Sequence, residues 1–153
     1  MGLNRKDLQF IQLCEAGADI FSTCGKRQYM AYLLDENYNV LGTGYNGGPS
    51  GTKHCRDGGC PRLQNNSPSG SNYDDCIAVH AEQNAIARCQ GKPTTLIVNG
   101  PPCFTCAKMV LSTTVKRIVY IRDESYVQWP SIASFLEENG IELLGYKKWQ
   151  PHE

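Results

Sequence analysis

Apolar side chains near the start of the chain recur every three or four residues, which is the spacing of one helix face. The repeat runs from about Asn4 to Phe21. It consists of Leu8, Ile11, Cys14 and Ala18, widened by Phe10, Leu13 and Ile20. The pattern therefore predicts an amphipathic helix.

Two short apolar runs follow, at residues 29–35 and 40–45. The four residues between them, 36–39, are polar or turn-forming, so the pair predicts a β-hairpin. Residues 46–75 are rich in Gly, Pro, Ser and Asn and show no periodicity. A loop of about thirty residues is uncommon in a compact protein unless it is functional or disordered.

The second half of the chain alternates between helical and strand patterns. We predict helices at 77–89, 103–112 and 131–139, the last ended by Gly140, and strands at 95–99, 115–121 and 141–144. Strands that alternate with helices require crossover connections and a sheet covered on both faces. The predicted class is therefore α/β.

Length and charge narrow the possible functions. A chain of 153 residues suits one domain, residues 1–153, with a single core. Lys plus Arg number 15 and Asp plus Glu number 15, so the formal net charge is zero. Binding to a nucleic-acid polymer usually requires a basic excess, whereas a free nucleotide does not. No apolar run approaches the length of a membrane span, so we expect no membrane partner.

Eight cysteines are the unusual feature of the composition. An even number suggests a disulfide framework, but the N-terminal MGLNRKDLQF mixes charges and lacks the apolar core of a secretory signal. We therefore expect a cytoplasmic protein with reduced thiols, several of which bind metal.

Cys103 and Cys106 follow a predicted strand and enter a helix behind Pro101 and Pro102. Cysteines three residues apart share a helix face, and a helix N-terminus stabilises thiolates. The pair could supply two zinc ligands. A redox-active Cys-x-x-Cys is the alternative that this motif alone leaves open.

His80 and Glu82 lie about twenty residues upstream. A lone histidine at a helix start is commonly a capping or packing residue, and a glutamate there is commonly favoured by the helix dipole. Together with Pro-Cys-x-x-Cys, however, they match the H-x-E and P-C-x-x-C signature of zinc-dependent nucleobase deaminases. Three ligands and an open fourth position are typical of catalytic zinc, with Glu82 as the proton carrier.

Gly42, Gly44 and Gly47 also satisfy the G-x-G-x-x-G pattern of dinucleotide-binding proteins. That fingerprint requires a helix to open at the last glycine. Here Gly48, Pro49 and further loop residues follow, so we reject a dinucleotide cofactor.

Four motifs in this order resemble the deoxycytidylate (dCMP) deaminases of the cytidine deaminase superfamily. They are Ser22-Thr23-Cys24, Gly44-Tyr45-Asn46-Gly47, His80-Ala81-Glu82 and Pro102-Cys103-Phe104-Thr105-Cys106. The resemblance implies a three-layer α-β-α sandwich around a five-stranded mixed sheet. It also implies conversion of dCMP to dUMP with a catalytic Zn²⁺.

The resemblance also implies roles for single residues. Asn46 matches the asparagine that holds sugar or base, Ala81 the residue whose backbone N–H contacts the ring carbonyl, and Tyr120 the tyrosine beside the substrate. Family members usually read Val-Gly-Ala on the first strand, where this chain reads Tyr29-Met30-Ala31. We expect Met30 to project bulk towards the nucleotide and to influence which base or sugar is accepted.

Four further cysteines lie where bacterial and phage members of this branch place a second, structural zinc. They are Cys24, Cys55, Cys60 and Cys76, with His54 as a possible replacement for one. The alternative for Cys24 and Cys76 is burial as small apolar residues, and burial is the expectation for Cys14 and Cys89.

Members of the family form hexamers or smaller homo-oligomers, and many respond to dCTP and dTTP. Two alternatives to dCMP deamination stay open at this point. One is deamination of another free nucleotide or of a modified cytosine nucleotide. The other is a non-catalytic zinc module in which both sites are structural.

Overall fold

The computed structural model describes residues 2–22, 28–48 and 79–148. This part of the chain contains four helices and five strands. The helices are α1 Arg5–Phe21, α2 Ala81–Ala87, α3 Phe104–Leu111 and α4 Trp129–Glu138. The strands are β1 Met30–Leu34, β2 Val40–Tyr45, β3 Thr95–Val98, β4 Arg117–Ile121 and β5 Glu142–Tyr146.

The five strands form one mixed sheet in the order β2-β1-β3-β4-β5. β1 is antiparallel to both β2 and β3, whereas β3, β4 and β5 are parallel. Ala31 of β1 pairs with Gly44 on one side and Val98 on the other. α3 connects β3 to β4, and α4 connects β4 to β5. The predicted α/β class and five-stranded mixed sheet are confirmed.

The sheet separates two apolar cores. On one face α1 buries Ile11, Cys14 and Ala18 against Leu34 and Ile97 of the central strands. On the other face α2, α3 and α4 share the larger core, whose members include Ala81, Val110 and Leu136. The three layers are therefore α1, the sheet, and the group of α2, α3 and α4.

α1 differs from the prediction in the width of its buried face. The buried positions are Asp7, Ile11, Cys14, Gly17 and Ala18. The predicted stripe included Leu8, Leu13 and Ile20, which are 36%, 50% and 69% exposed, and this part of the prediction was wrong. A helix lying on a sheet buries only one side, and Leu13 and Ile20 project from another side of the helix.

Asp7 links α1 to the sheet and to the hairpin. Its buried carboxylate accepts two hydrogen bonds from the Arg117 guanidinium, one of them 2.9 Å long. It also accepts hydrogen bonds from the Tyr38 hydroxyl at 2.9 Å and the Asn4 backbone N–H at 3.0 Å. Burial alone would raise the pKa of Asp7, but these hydrogen bonds and the nearby charge bring it below its usual value.

The predicted hairpin is confirmed, and its turn is shaped by the same contacts. Tyr38 has a φ of 63°, a left-handed conformation that is unfavourable for a bulky residue. Its hydroxyl donates to Asp7 and its ring stacks on Phe10 with centroids 6.3 Å apart. These tertiary contacts offset the local cost.

α2 begins later than the predicted 77–89. Val79 forms an antiparallel bridge with Gly47, through hydrogen bonds of 2.7 and 3.2 Å, so it is extended. His80 is the N-cap, also extended, and the helix starts at Ala81.

At the end of α4, Gly140 has a φ of 87°, which agrees with its predicted role in ending that helix. No helix in the described ranges is long and apolar enough to span a membrane.

Replacing Asp7 with asparagine should lower the free energy of unfolding by about 3 kcal/mol at neutral pH, because Arg117 then loses its charged partner. The folded-state pKa of Asp7 is depressed, so its contribution to stability is fully present above the unfolded pKa of about 3.9 and is lost as the pH falls through the lower, folded-state pKa. Urea unfolding at pH 7 and pH 3 should therefore show a smaller difference between variant and wild type at pH 3.

Asp19→Asn is the matched control, since Asp19 is exposed on the same helix. It should change stability by no more than about 0.5 kcal/mol. Equal effects of the two substitutions would contradict the assigned role of Asp7.

Candidate metal centre and active site

The predicted metal ligands meet where two helices begin. His80 is the N-cap of α2, and Cys103 is the N-cap of α3, which follows the carboxyl end of β3. Cys106 lies one turn into α3 and is buried. Crevices beyond the carboxyl ends of parallel strands are the usual ligand sites of α/β proteins.

The three ligand atoms fit a zinc ion. The His80 Nδ1 atom lies 3.4 Å from the Cys103 Sγ and 3.3 Å from the Cys106 Sγ. All three atoms lie within 4.8 Å of one another. Tetrahedral zinc, with bonds of about 2.05 Å to nitrogen and 2.3 Å to sulfur, requires an N–S separation of about 3.6 Å. The donor set and its spacing therefore match a three-ligand zinc site.

Even without a bound metal, the surroundings of the two cysteines favour the thiolate form of one of them, Cys103. The hydrogen bond from Cys106, together with His80, lowers the pKa of Cys103 to about 4. The same hydrogen bond and burial raise the pKa of Cys106. The Cys106 thiol thus donates its proton in a hydrogen bond to the Cys103 thiolate. Binding of a metal to both sulfurs would release that proton.

Glu82 adjoins this cluster in the first turn of α2 and is 4% exposed. Burial raises its pKa, and interactions with Cys106 and His80 oppose that rise. Glu82 lines a cavity of about 20 Å³ together with His80 and Cys103. Tyr29, Asn46 and Pro101 complete the lining among the described residues.

α2 can lie in this position because β2 carries glycines under it. A Cβ atom added to Gly44 would lie 2.5 Å from the Ala81 carbonyl oxygen and 2.5 Å from the Ala85 nitrogen. One added to Gly42 would lie 2.6 Å from the Ala85 oxygen. Any larger residue would push the helix away. These glycines therefore allow the close packing of α2 on β2.

Polar side chains hold the start of α2. Gln83 Oε1 accepts a hydrogen bond from the His80 backbone N–H at 2.9 Å. Asn84 donates to the Tyr45 carbonyl at 2.9 Å, which ties the helix to the end of β2. A glutamine at the third helical position, such as Gln83, is a capping-box signal that can be read from the sequence.

Asn46 and Ala81 contact each other. Asn46 is buried, and its Oδ1 accepts the Ala81 backbone N–H at 2.6 Å. The Ala81 N–H, which was expected to contact the ring carbonyl of a substrate, is thus bonded to Asn46, another predicted substrate contact. Asn46 also lines the cavity, so the structure brings it together with the metal ligands.

Tyr120 lies at the end of β4, at the same edge of the sheet, but it does not line the cavity formed by the described residues. Its ring packs on Trp129 with centroids 4.8 Å apart, and its hydroxyl accepts a hydrogen bond from the Trp129 indole at 3.3 Å. Its expected contact with substrate stays a prediction.

Met30 lies on the opposite face of the sheet from the metal ligands. Its side chain belongs to the α1 core with Ile11 and Cys14. A Cβ on Gly17 would overlap the Met30 sulfur, so Met30 occupies the space that this glycine leaves on α1. The structure therefore does not bring Met30 into the cavity, because side chains alternate along β1 and its neighbour Tyr29 faces the cavity instead.

Of the other cysteines, Cys14 is fully buried and Cys89 partly so, in agreement with the prediction for Cys14. Cys24, Cys55, Cys60 and Cys76, together with His54, lie outside the described residues.

A His/Cys/Cys cluster with an adjacent glutamate is the arrangement typical of zinc-dependent nucleobase deaminases. Residues 4–122 match the family described as "Cytidine and deoxycytidylate deaminase zinc-binding region". The chain belongs to this family, as the motifs predict.

Individual relatives agree with this assignment. A deoxycytidylate deaminase of Mycobacterium phage D29 is 34% identical over 125 residues, covering 76% of this chain and 94% of that protein. The deoxycytidylate deaminase of Schizosaccharomyces pombe is 34% identical over 144 residues, covering 92% of this chain and 44% of that protein. The chain thus spans less than half the length of this yeast relative, and the same holds for its Saccharomyces cerevisiae counterpart, at 43%.

A solved structure supports the fold. The dCMP deaminase of cyanophage S-TIM5, crystallised with dCMP and dUMP, superimposes with a TM-score of 0.72 at 23% identity. The match covers 94% of this chain and 99% of that chain. At this identity the likeness shows a common fold.

Gly44→Ala should displace α2 from β2 and disturb the cavity beside it. We expect a loss of about 1–3 kcal/mol in the free energy of unfolding, because backbone atoms of α2 must move. We also expect weaker zinc retention, since His80 is the N-cap of that helix. Urea unfolding and zinc content after dialysis against a chelator measure the two effects.

Gly2→Ala is the matched control, because nothing lies within 4 Å of a Cβ at that position. Wild-type stability and zinc retention in Gly44→Ala would contradict the proposed close approach.

Proposed function

We propose that this chain catalyses the hydrolytic deamination of dCMP to dUMP with release of ammonia. The observation that carries the proposal is a buried glutamate, Glu82, lining the same cavity as His80 and Cys103 of the metal cluster. The relatives named deoxycytidylate deaminase support the choice of substrate.

The reaction replaces the exocyclic amine of cytosine with a carbonyl oxygen. Water adds at C4, the C4–N bond breaks, and the amine leaves as ammonia. His80, Cys103 and Cys106 would hold the zinc ion. When bound, zinc in a three-ligand site acts as a Lewis acid and lowers the pKa of water from about 15.7 to about 7.

Glu82 would carry the proton. Its carboxylate takes a proton from the attacking water and delivers it to ring N3, and it then transfers a second proton to the departing amine. A positioned acid and base of this kind contributes roughly 10²–10⁴ to the rate. Its place in the first turn of α2 keeps it next to the metal ligand His80.

A purely structural zinc module does not account for Glu82. A carboxylate that is 4% exposed is costly to bury, and a closed structural site has no use for a fourth, acidic neighbour. The acid therefore favours catalysis over a structural role.

We also infer a second, structural zinc held by Cys24, Cys55, Cys60 and Cys76, with His54 as a possible substitute for one thiolate. Four thiolates form a closed tetrahedral set, which is typical of structural zinc. Such a site would anchor the long segment of residues 46–75, which contains two of these cysteines and is followed directly by a third.

The remaining properties are proposed on the family resemblance. They are a cytoplasmic homo-oligomer, hexameric or smaller, that takes free nucleotides and responds to dCTP and dTTP. The exposed apolar side chains Leu13 and Ile20 on α1 are compatible with subunit contacts.

Glu82→Gln should lower kcat for dCMP by at least about 10²-fold, because the amide keeps the shape of the side chain but cannot carry the proton. Zinc content should stay at the wild-type value, since Glu82 is not expected to be a ligand. Ammonia release and the absorbance change from dCMP to dUMP measure turnover.

Glu138→Gln, at an exposed position on α4, serves as the control and should retain activity. Undiminished turnover in Glu82→Gln would overturn the mechanism. A wild-type, zinc-loaded protein that leaves dCMP unchanged would overturn the proposed substrate.

Metal analysis of the purified chain should find about two zinc ions per chain. Cys60→Ser should lower the value to about one and leave the His80 site loaded, whereas Cys89→Ala, outside both sets, should keep about two. A value near one for the folded wild-type protein would refute the second site.

A further inference from the structure

Tyr29 is the residue of the cavity that the sequence motifs leave without a role. Among the described residues that line the cavity, it is the single one with a six-membered aromatic ring, and it lies there with His80, Glu82 and Cys103. It immediately precedes β1 and is partly buried.

The backbone on both sides of Tyr29 is fixed by Asn99. The Asn99 side chain donates to the Gln28 carbonyl at 3.1 Å and accepts the Met30 N–H at 2.8 Å. The Tyr29 carbonyl itself accepts the Asn46 N–H at 3.1 Å. Three hydrogen bonds therefore set the direction in which the Tyr29 side chain leaves the backbone.

Gly100 sets the position of the ring. A Cβ atom on Gly100 would lie 2.6 Å from the Tyr29 Cε1 and 3.1 Å from its Cζ. The ring thus lies close to the Gly100 backbone, which leads through Pro101 to the predicted ligand Cys103. This close contact limits how far the ring can move towards Gly100.

Tyr29 and Asn46 are also neighbours across the hairpin. Met30 pairs with Tyr45, so the next pair outward is Tyr29 with Asn46, and both side chains line the cavity. Directly opposite residues of antiparallel strands have Cβ atoms about 4.5–5.5 Å apart. Whatever part of a substrate contacts Asn46 therefore comes within reach of the Tyr29 ring.

We propose that Tyr29 is a specificity-determining residue whose ring forms a rigid wall of the nucleotide pocket and limits the size of the cytosine nucleotide that can react. The proposal rests on the proposed deaminase function. A rigid wall discriminates by size because a larger substrate would have to displace packed atoms. A difference of one carbon atom between two substrates commonly changes kcat/KM by about 10–200-fold.

The test compares Tyr29→Val with wild type on dCMP, 5-methyl-dCMP and CMP. Removing the ring should raise kcat/KM for at least one of the two bulkier nucleotides, relative to dCMP, by about tenfold or more. With dCMP itself, KM should rise while kcat stays within a few-fold. A gain with 5-methyl-dCMP places the ring beside the base, and a gain with CMP places it beside the sugar.

Two variants separate this role from general damage. Tyr29→Phe keeps the ring and should keep the wild-type ratios. Tyr32→Val makes the same exchange on the same strand, but Tyr32 packs on the α1 face against Phe10, so the ratios should not change. Zinc content and urea unfolding show whether each variant is folded.

Wild-type ratios in Tyr29→Val, or equal shifts in Tyr29→Val and Tyr32→Val, would overturn the proposal. Calorimetric binding of dCMP, 5-methyl-dCMP and CMP supplies the same size comparison without turnover. A chain that binds these nucleotides but does not deaminate them would refute the proposed function while still deciding the role of Tyr29.

Discussion

The candidate active site depends on the close contact between the backbones of α2 and β2. Gly42 and Gly44 allow this contact because a Cβ at either position would lie within 2.6 Å of backbone atoms of the helix. The strand then continues to Asn46, whose side chain accepts the Ala81 N–H. Strand and helix are thereby held as one rigid unit that carries a metal ligand, the buried acid and a polar residue of the cavity. A cavity this small requires such rigidity, because small displacements would separate its groups.

The metal centre could be predicted from the sequence because its geometry is mostly local. Cys103 and Cys106 are three residues apart on one helix, and His80 and Glu82 lie at the start of another, so each pair is positioned by the helix itself. The order of helices and strands could also be predicted from the sequence, because each element has its own periodicity. The first residue of α2 could not be predicted in this way. Val79 is held extended by its bridge to Gly47, a contact between residues 32 apart in sequence.

The roles of Met30 and Tyr29 show where a single sequence is insufficient. β1 is covered by helices on both faces, so apolar residues occupy both, and its sequence does not alternate with polar residues. Nothing in the run Tyr29-Met30-Ala31 indicates which of the adjacent side chains faces α1. The orientation of these side chains depends on two glycines: Gly17 leaves space for the Met30 side chain, and Gly100 packs against the Tyr29 ring. Both glycines are distant in sequence from the strand, and their importance appears only after folding.

The Asp7–Arg117 pair has a consequence for how the molecule folds. It joins residues 110 positions apart, so α1, which is synthesised before β4, obtains its charged partner only after β4 has been made. Contacts between such distant residues slow folding, because the intervening chain must be ordered before they form. Until then, the Asp7 carboxylate opposes burial of the apolar side of α1. We therefore expect α1 to dock late, after the central strands have assembled, and to complete folding rather than initiate it.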